Sequence, residues 1–95
     1  MYVRWLKRAL ADLDSEAEYI AQESVKSAHK VVSRIYRSVE NLKKYPLIGR
    51  EGRVPGTREI IVPGFSYIIP YRLRKGHIEV LRVFHTSRKW PEKPS

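Results

Sequence analysis

Residues 46–57, PLIGREGRVPGT, split the chain into two stretches of different periodicity, and that switch limits the fold more than any other feature. The segment holds three glycines and two prolines, which interrupt helices and strand ladders alike, so it reads as a loop. Before it, apolar residues recur at steps of three and four. After it they alternate or run in short β-branched blocks. A helical half joined to a β half predicts an α+β chain with its helices packed on a sheet.

In the first half, Tyr2 to Trp5 reads as a short strand. Leu6, Leu10, Leu13, Ala17 and Ile20 then mark an amphipathic helix over about residues 7–23, with Asp12, Asp14, Glu16 and Glu18 on its outer face. Ser24 is placed to cap a second helix running to about Lys44, where Pro46 stops it. Val25, Ala28, Val32, Ile35, Val39 and Leu42 form its apolar stripe. The join between the two is short enough to force an antiparallel helical hairpin.

The second half predicts three strands, over 58–62, 67–73 and 77–84, with turns at Pro63-Gly64 and Lys75-Gly76. The last run is apolar on both faces and belongs in the middle of the sheet. Pro70 has no N–H to give, so its strand should be an edge or bulged at that point. The expected order is β-α-α-β-β-β, a helical hairpin on a small, mostly antiparallel sheet. One domain over 1–95 is expected, with a short irregular basic tail from about residue 86.

Charge narrows the partners. The chain carries 19 Lys and Arg against 10 Asp and Glu, a formal net charge of +9. Such an excess points to nucleic acid or an acidic protein, unless it is only a solvated surface. The absence of cysteine rules out disulfides, thiolate metal sites and a cysteine nucleophile, and agrees with a reducing cytoplasm. The start MYVRWLKRAL has no apolar stretch long enough for a signal peptide, and no segment is suited to spanning a bilayer. The expectation is a soluble cytoplasmic protein with no membrane partner. His29, His77 and His85 lack metal-ligand spacing, so neither a metal nor any other cofactor is expected.

Several short motifs now fall in order. A Trp-containing first strand leads into Ala9 to Leu13, reading A-x-x-D-L, with Tyr19-Ile20 near the helix end. Then come Pro46, Gly49-Arg50, Gly56-Thr57-Arg58-Glu59, Tyr71-Arg72, Arg82-Val83-Phe84-His85 and Arg88. This series resembles the RelE/ParE toxins of toxin–antitoxin and plasmid-stabilisation modules, over nearly the whole chain, and closer to the ParE-like branch. The resemblance implies a growth-inhibiting toxin held in a hetero-oligomeric complex by an acidic antitoxin. It also implies one of two targets: DNA gyrase for ParE-like members, or messenger RNA in the ribosome for RelE-like members.

The two targets demand different chemistry. Cleaving RNA at a ribose 2′-OH needs a proton acceptor, cations around the phosphate and a proton donor. In the well-studied ribonuclease branch these are two lysines on the second strand, an arginine on the third and an arginine in the tail. Alignment on Tyr71 puts Glu59 and Ile61 at the lysine positions and Ile68 at the third-strand arginine; only Arg88 matches. Other ribonuclease members use a histidine near the end of the last strand. On that pattern His85 would act, with Arg58, Arg72, Arg82 and Arg88 around it, and Glu59 as a possible base. The alternative is structural: His85 a hydrogen-bonded strand-end residue, and the arginines cross-strand ion-pair partners, Arg82 with Glu59. The balance favours a gyrase inhibitor without catalytic residues.

For contact with antitoxin or target, Lys26, Lys30, Arg34 and Arg37 form a basic stripe on the second helix, unless they are simply solvated. Arg88, Lys89 and Trp90 in the tail are a second candidate contact. An open sheet edge would give an added strand a place to pair. A generic nucleic-acid-binding domain is the third reading. Against it, no recognised reading motif occurs, and the basic residues do not flank a stacking aromatic platform.

Overall fold

The computed structural model describes residues 1–87. Strand β1 (Tyr2–Trp5) runs directly into helix α1 (Lys7–Ala21), with no side-chain cap at Leu6. Instead the Leu6 N–H donates to the Val80 carbonyl at 3.1 Å, so the sheet itself fixes where α1 starts. Helix α2 (Val25–Glu40) begins as expected: Ser24 is extended, and its side chain accepts from the Ser27 N–H at 3.1 Å. A 3-10 turn, Asn41–Lys43, carries the chain to Pro46. The helical expectation to about Lys44 therefore ends in a tightened last turn, which is common at helix C-termini.

The β half holds five strands: β2 (Arg50–Glu51), β3 (Arg58–Ile61), β4 (Tyr67–Arg74), β5 (His77–Val80) and β6 (Phe84–His85). They join β1 in one six-stranded sheet of order β1-β5-β4-β3-β2, with β6 also pairing to β4. Only β1–β5 is parallel among these pairings. That pairing puts β5 inside the sheet, as its apolar content requires.

Two expectations are corrected here. The run 77–84 is not one strand, because three residues, 81–83, stand opposite only Ile69 and Pro70 of β4. This bulge answers the proline: Pro70 has no N–H to give on that side, while its carbonyl accepts from the Leu81 N–H at 2.9 Å. β4 is thus interior and not itself bulged; the irregularity that accommodates Pro70 falls on the partner run 81–83. The second correction is β2. Two residues inside a Gly/Pro-rich loop carry no periodicity, so nothing in the sequence marks them.

Ala9 and Leu13 of α1 and Val31, Ile35 and Val39 of α2 pack on Val62, Tyr67, Ile69, Val80 and Val83. Leu42, Tyr71 and Ile78 form a second cluster. The helix stripes sit one residue round from expectation at two places, with Ala9 buried rather than Leu10 and Val31 rather than Val32, and Val25 at the start of α2 is exposed. Burying a side chain like Ile35 contributes about 1.5–3 kcal/mol, and its exposure is 0%. Among the described residues no helix is long and apolar enough to cross a membrane.

Candidate functional site

Successive strand residues point to opposite faces, so the registers sort the charged residues. Val3, Ile69, Tyr71, Ile78 and Val80 face the helices. The opposite face carries Tyr2 and Arg4 of β1, His77 and Glu79 of β5, and Arg74 and Arg72 of β4, as two aligned rows of three. Glu79 is 5% exposed. It accepts from Arg72 Nε at 2.6 Å and His77 Nε2 at 3.1 Å, and Arg4 Nη1 lies 3.9 Å away. The Arg72 hydrogen bond, then that of His77, hold its carboxyl below the ordinary carboxylate range despite its desolvation. Beside it the Tyr2 and His77 rings stack at 4.9 Å and 9°. Strand pairing thus assembles an aromatic platform flanked by arginines, which chain order does not reveal.

Further along the same face, Glu59 is also buried, and also surrounded by cations. Arg50 Nη2 lies 3.4 Å from Oε1, and the Arg53 N–H donates to Oε2 at 3.2 Å.

The loop before β2 is fixed from below. The Tyr71 hydroxyl donates to the Pro46 carbonyl at 2.8 Å and accepts from the Gly49 N–H at 3.0 Å. Burial raises the Tyr71 pKa, opposed by the Gly49 hydrogen bond and the Arg58 charge. A Cβ at Gly49 would stand 2.6 Å from the Tyr71 hydroxyl oxygen, so only glycine fits. Arg58 completes the clasp, donating to the carbonyls of Leu47 (3.2 Å) and Gly49 (2.9 Å).

Arg82 does not take the partner expected for it. Its Nε and Nη2 donate to Asp12 of α1 at 2.7 and 3.1 Å, and the Val83 N–H adds a third bond at 2.9 Å. The Asp12 hydrogen bonds, against desolvation, raise the Arg82 pKa further. The bulge at 81–83 explains the mismatch with Glu59, because it turns Arg82 out of strand register. Asp12 and Glu16 are likewise not on an outer helix face. Glu16 accepts from the Tyr67 hydroxyl at 2.9 Å, and only Asp14 and Glu18 of the four acids are exposed.

The side chains a histidine-based ribonuclease would use are therefore dispersed. Arg58 and His85 lie on the helix-facing side, opposite Tyr71 and Tyr67, whereas Arg72 lies on the other. The His85 ring meets Tyr67 edge-on at 5.1 Å, and its Nδ1 accepts from the Ser87 N–H. Ile61 and Ile68 stand opposite one another beside Glu59. On α2, Lys26, Lys30 and Arg37 are exposed, but Arg34 is drawn onto the 63–65 turn, bonding the Pro63 carbonyl at 3.2 Å above Phe65. Arg88, Lys89 and Trp90 lie outside the described residues. Among the described residues no group of three His, Asp or Glu side chains is placed to hold a metal ion.

Two helices packed on a mixed sheet make this an α+β fold. The family described as "ParE toxin of type II toxin-antitoxin system, parDE" matches residues 3–90, and the chain belongs to it. Y4kP of Sinorhizobium fredii is 41% identical over 90 residues, covering 95% of this chain and 93% of that protein. Toxin RelE2 of Caulobacter vibrioides is 33% identical, covering 90% and 96%. In three dimensions the chain is similar to one from the chromosomal ParDE TA system of P. aeruginosa, with TM-score 0.82, 28% identity, and coverage of 92% and 97%. The protein is a type II toxin, a class that works with an antitoxin partner.

Proposed function

We propose that this toxin halts growth by poisoning DNA gyrase in the cytoplasm once its acidic antitoxin is lost. One observation carries the choice of target. The groups a ribonuclease of this fold would need are either replaced, at Glu59, Ile61 and Ile68, or divided between the two faces of the sheet. Loss of a single transition-state donor typically costs about 2.7–4 kcal/mol, or 100- to 1000-fold in rate, and several are lost together here. An inhibitor that works by docking needs only a shaped basic surface, and the exposed Lys26, Lys30 and Arg37 on α2 offer one. The same stripe suits an acidic antitoxin, and the tail from Arg88 to Trp90 is assigned to target contact.

Induction without antitoxin should give DNA-damage signalling, filamentation and, with purified gyrase, inhibited supercoiling, while messenger RNA stays intact. His85→Ala should reduce toxicity only as far as it reduces folding. Codon-linked cleavage of messenger RNA, abolished by His85→Ala at unchanged stability, would overturn this choice in favour of the ribonuclease.

A further inference from the structure

We propose that the outer face of β1, β5 and β4 binds single-stranded nucleic acid, a base stacking on Tyr2 with phosphates over Arg4, Arg72 and Arg74. The surface lies on the sheet face opposite the helices, apart from the exposed α2 stripe, and the inference goes beyond the gyrase reading.

Four features support it. First, Tyr2 is 60% exposed and lies on β1, which among the described residues pairs only with β5. Its ring is backed on one side by His77 at 9°, and no strand of the described residues covers the other. A flat ring held parallel to a second ring is the geometry that takes an unstacked base. Second, Arg74 ends the row of Tyr2 on the far side of His77, and Arg4 and Arg72 flank Glu79 in the next row. Strands sit about 4.8 Å apart, so the three guanidinium groups span more than one phosphate. Third, Glu79 orders this array rather than cancelling it. It takes Arg72 by Nε, which leaves the terminal amines of Arg72 outside that bond. Fourth, the charge fits. One carboxylate sits among three arginines, in a chain of net charge +9. An acidic peptide would satisfy the arginines but would not use the ring face. Duplex DNA would offer phosphates with its base faces hidden.

The test is fluorescence anisotropy on the full chain freed from its antitoxin. The probes are labelled oligothymidylate and oligouridylate of about ten nucleotides, a duplex of equal length and a poly-glutamate peptide. Single strands should bind more tightly than the duplex. Tyr2→Ala should weaken them roughly 5- to 100-fold, while Tyr2→Phe and Tyr2→Trp retain binding. Each arginine contact removed, as in Arg4→Gln or Arg74→Gln, should flatten the salt dependence by about 0.7 in log–log slope. Binding of the DNA strand, the RNA strand or both supports the platform, and any preference names the strand. Duplex or poly-glutamate binding equal to single-strand binding would overturn it, as would wild-type affinity in Tyr2→Ala. If Tyr2→Ala lowers the melting temperature, Tyr2→Trp and Arg74→Gln carry the test, and unchanged salt dependence in Arg74→Gln is then the refuting result.

Discussion

Removing the Asp12 carboxylate should damage this protein more than removing any other surface acid. Asp12 receives three hydrogen bonds at 2.7–3.1 Å, two from Arg82 and one from the Val83 backbone. The paired side chains are only 13% and 19% exposed. Hydrogen bonds to charged groups contribute about 1.5–3 kcal/mol each, and losing one partner of a fully buried pair costs about 3–5 kcal/mol. The residual exposure trims that figure, because Arg82 can recover some hydration. Asp12→Ala should therefore cost about 2–4 kcal/mol. For a chain of this length that is a fall in melting temperature of about 10–25 °C. Asp12→Asn keeps the volume and one acceptor, and should lose about half as much. The assay is urea unfolding of Asp12→Ala, Arg82→Met and the double variant. Coupling of at least about 1 kcal/mol is expected from contact at this range. Additive losses, or a single-variant cost within about 0.5 kcal/mol of wild type, would show that the bond seen here does not hold α1 to the bulge.

Two further variants probe other contacts. The depressed Glu79 pKa contributes stability that is present above the unfolded carboxylate value, near about 4.3, and disappears as pH falls through the folded value. The melting-temperature gap between wild type and Glu79→Gln should thus be widest near neutrality and close in acid; a gap that widens on acidification would reverse the assignment. Tyr71→Phe, which strips the bonds to Pro46 and Gly49, should cost about 1–3 kcal/mol and speed hydrogen exchange at the Gly49 amide, with exchange in α1 little changed.

The elements that repeat were legible in the sequence; those made by a single contact were not. Both helices, the Ser24 cap and β3 to β5 follow from periodicity and turn chemistry, which act over a few neighbouring residues. Pro70 signalled an irregular ladder, as an edge or a bulge in its own strand, but that the bulge falls on the partner depends on the register of β4 with β5 and β6. The site was harder. Asp12 looks like one more acid in an exposed row, because a one-residue rotation of the helix decides whether it meets solvent or Arg82. Tyr2 and His77 are distant in sequence and meet only because β1 returns parallel to β5. Glu79 did carry a signal: a carboxylate inside an apolar central strand must find cations, and Arg72 is its cross-strand partner.

The pairing of the first strand with β5 also has a consequence in time. Helices α1 and α2 are local and can form within microseconds, but β1 has no partner until β5 is available and in register. The Asp12–Arg82 bond likewise spans 70 positions. Contacts this distant slow folding, and until they close, Ile78 and Val80 sit on an open strand edge. Refolding should therefore show helical signal returning first and closure of β1 on β5 last, with an exposed strand edge in between.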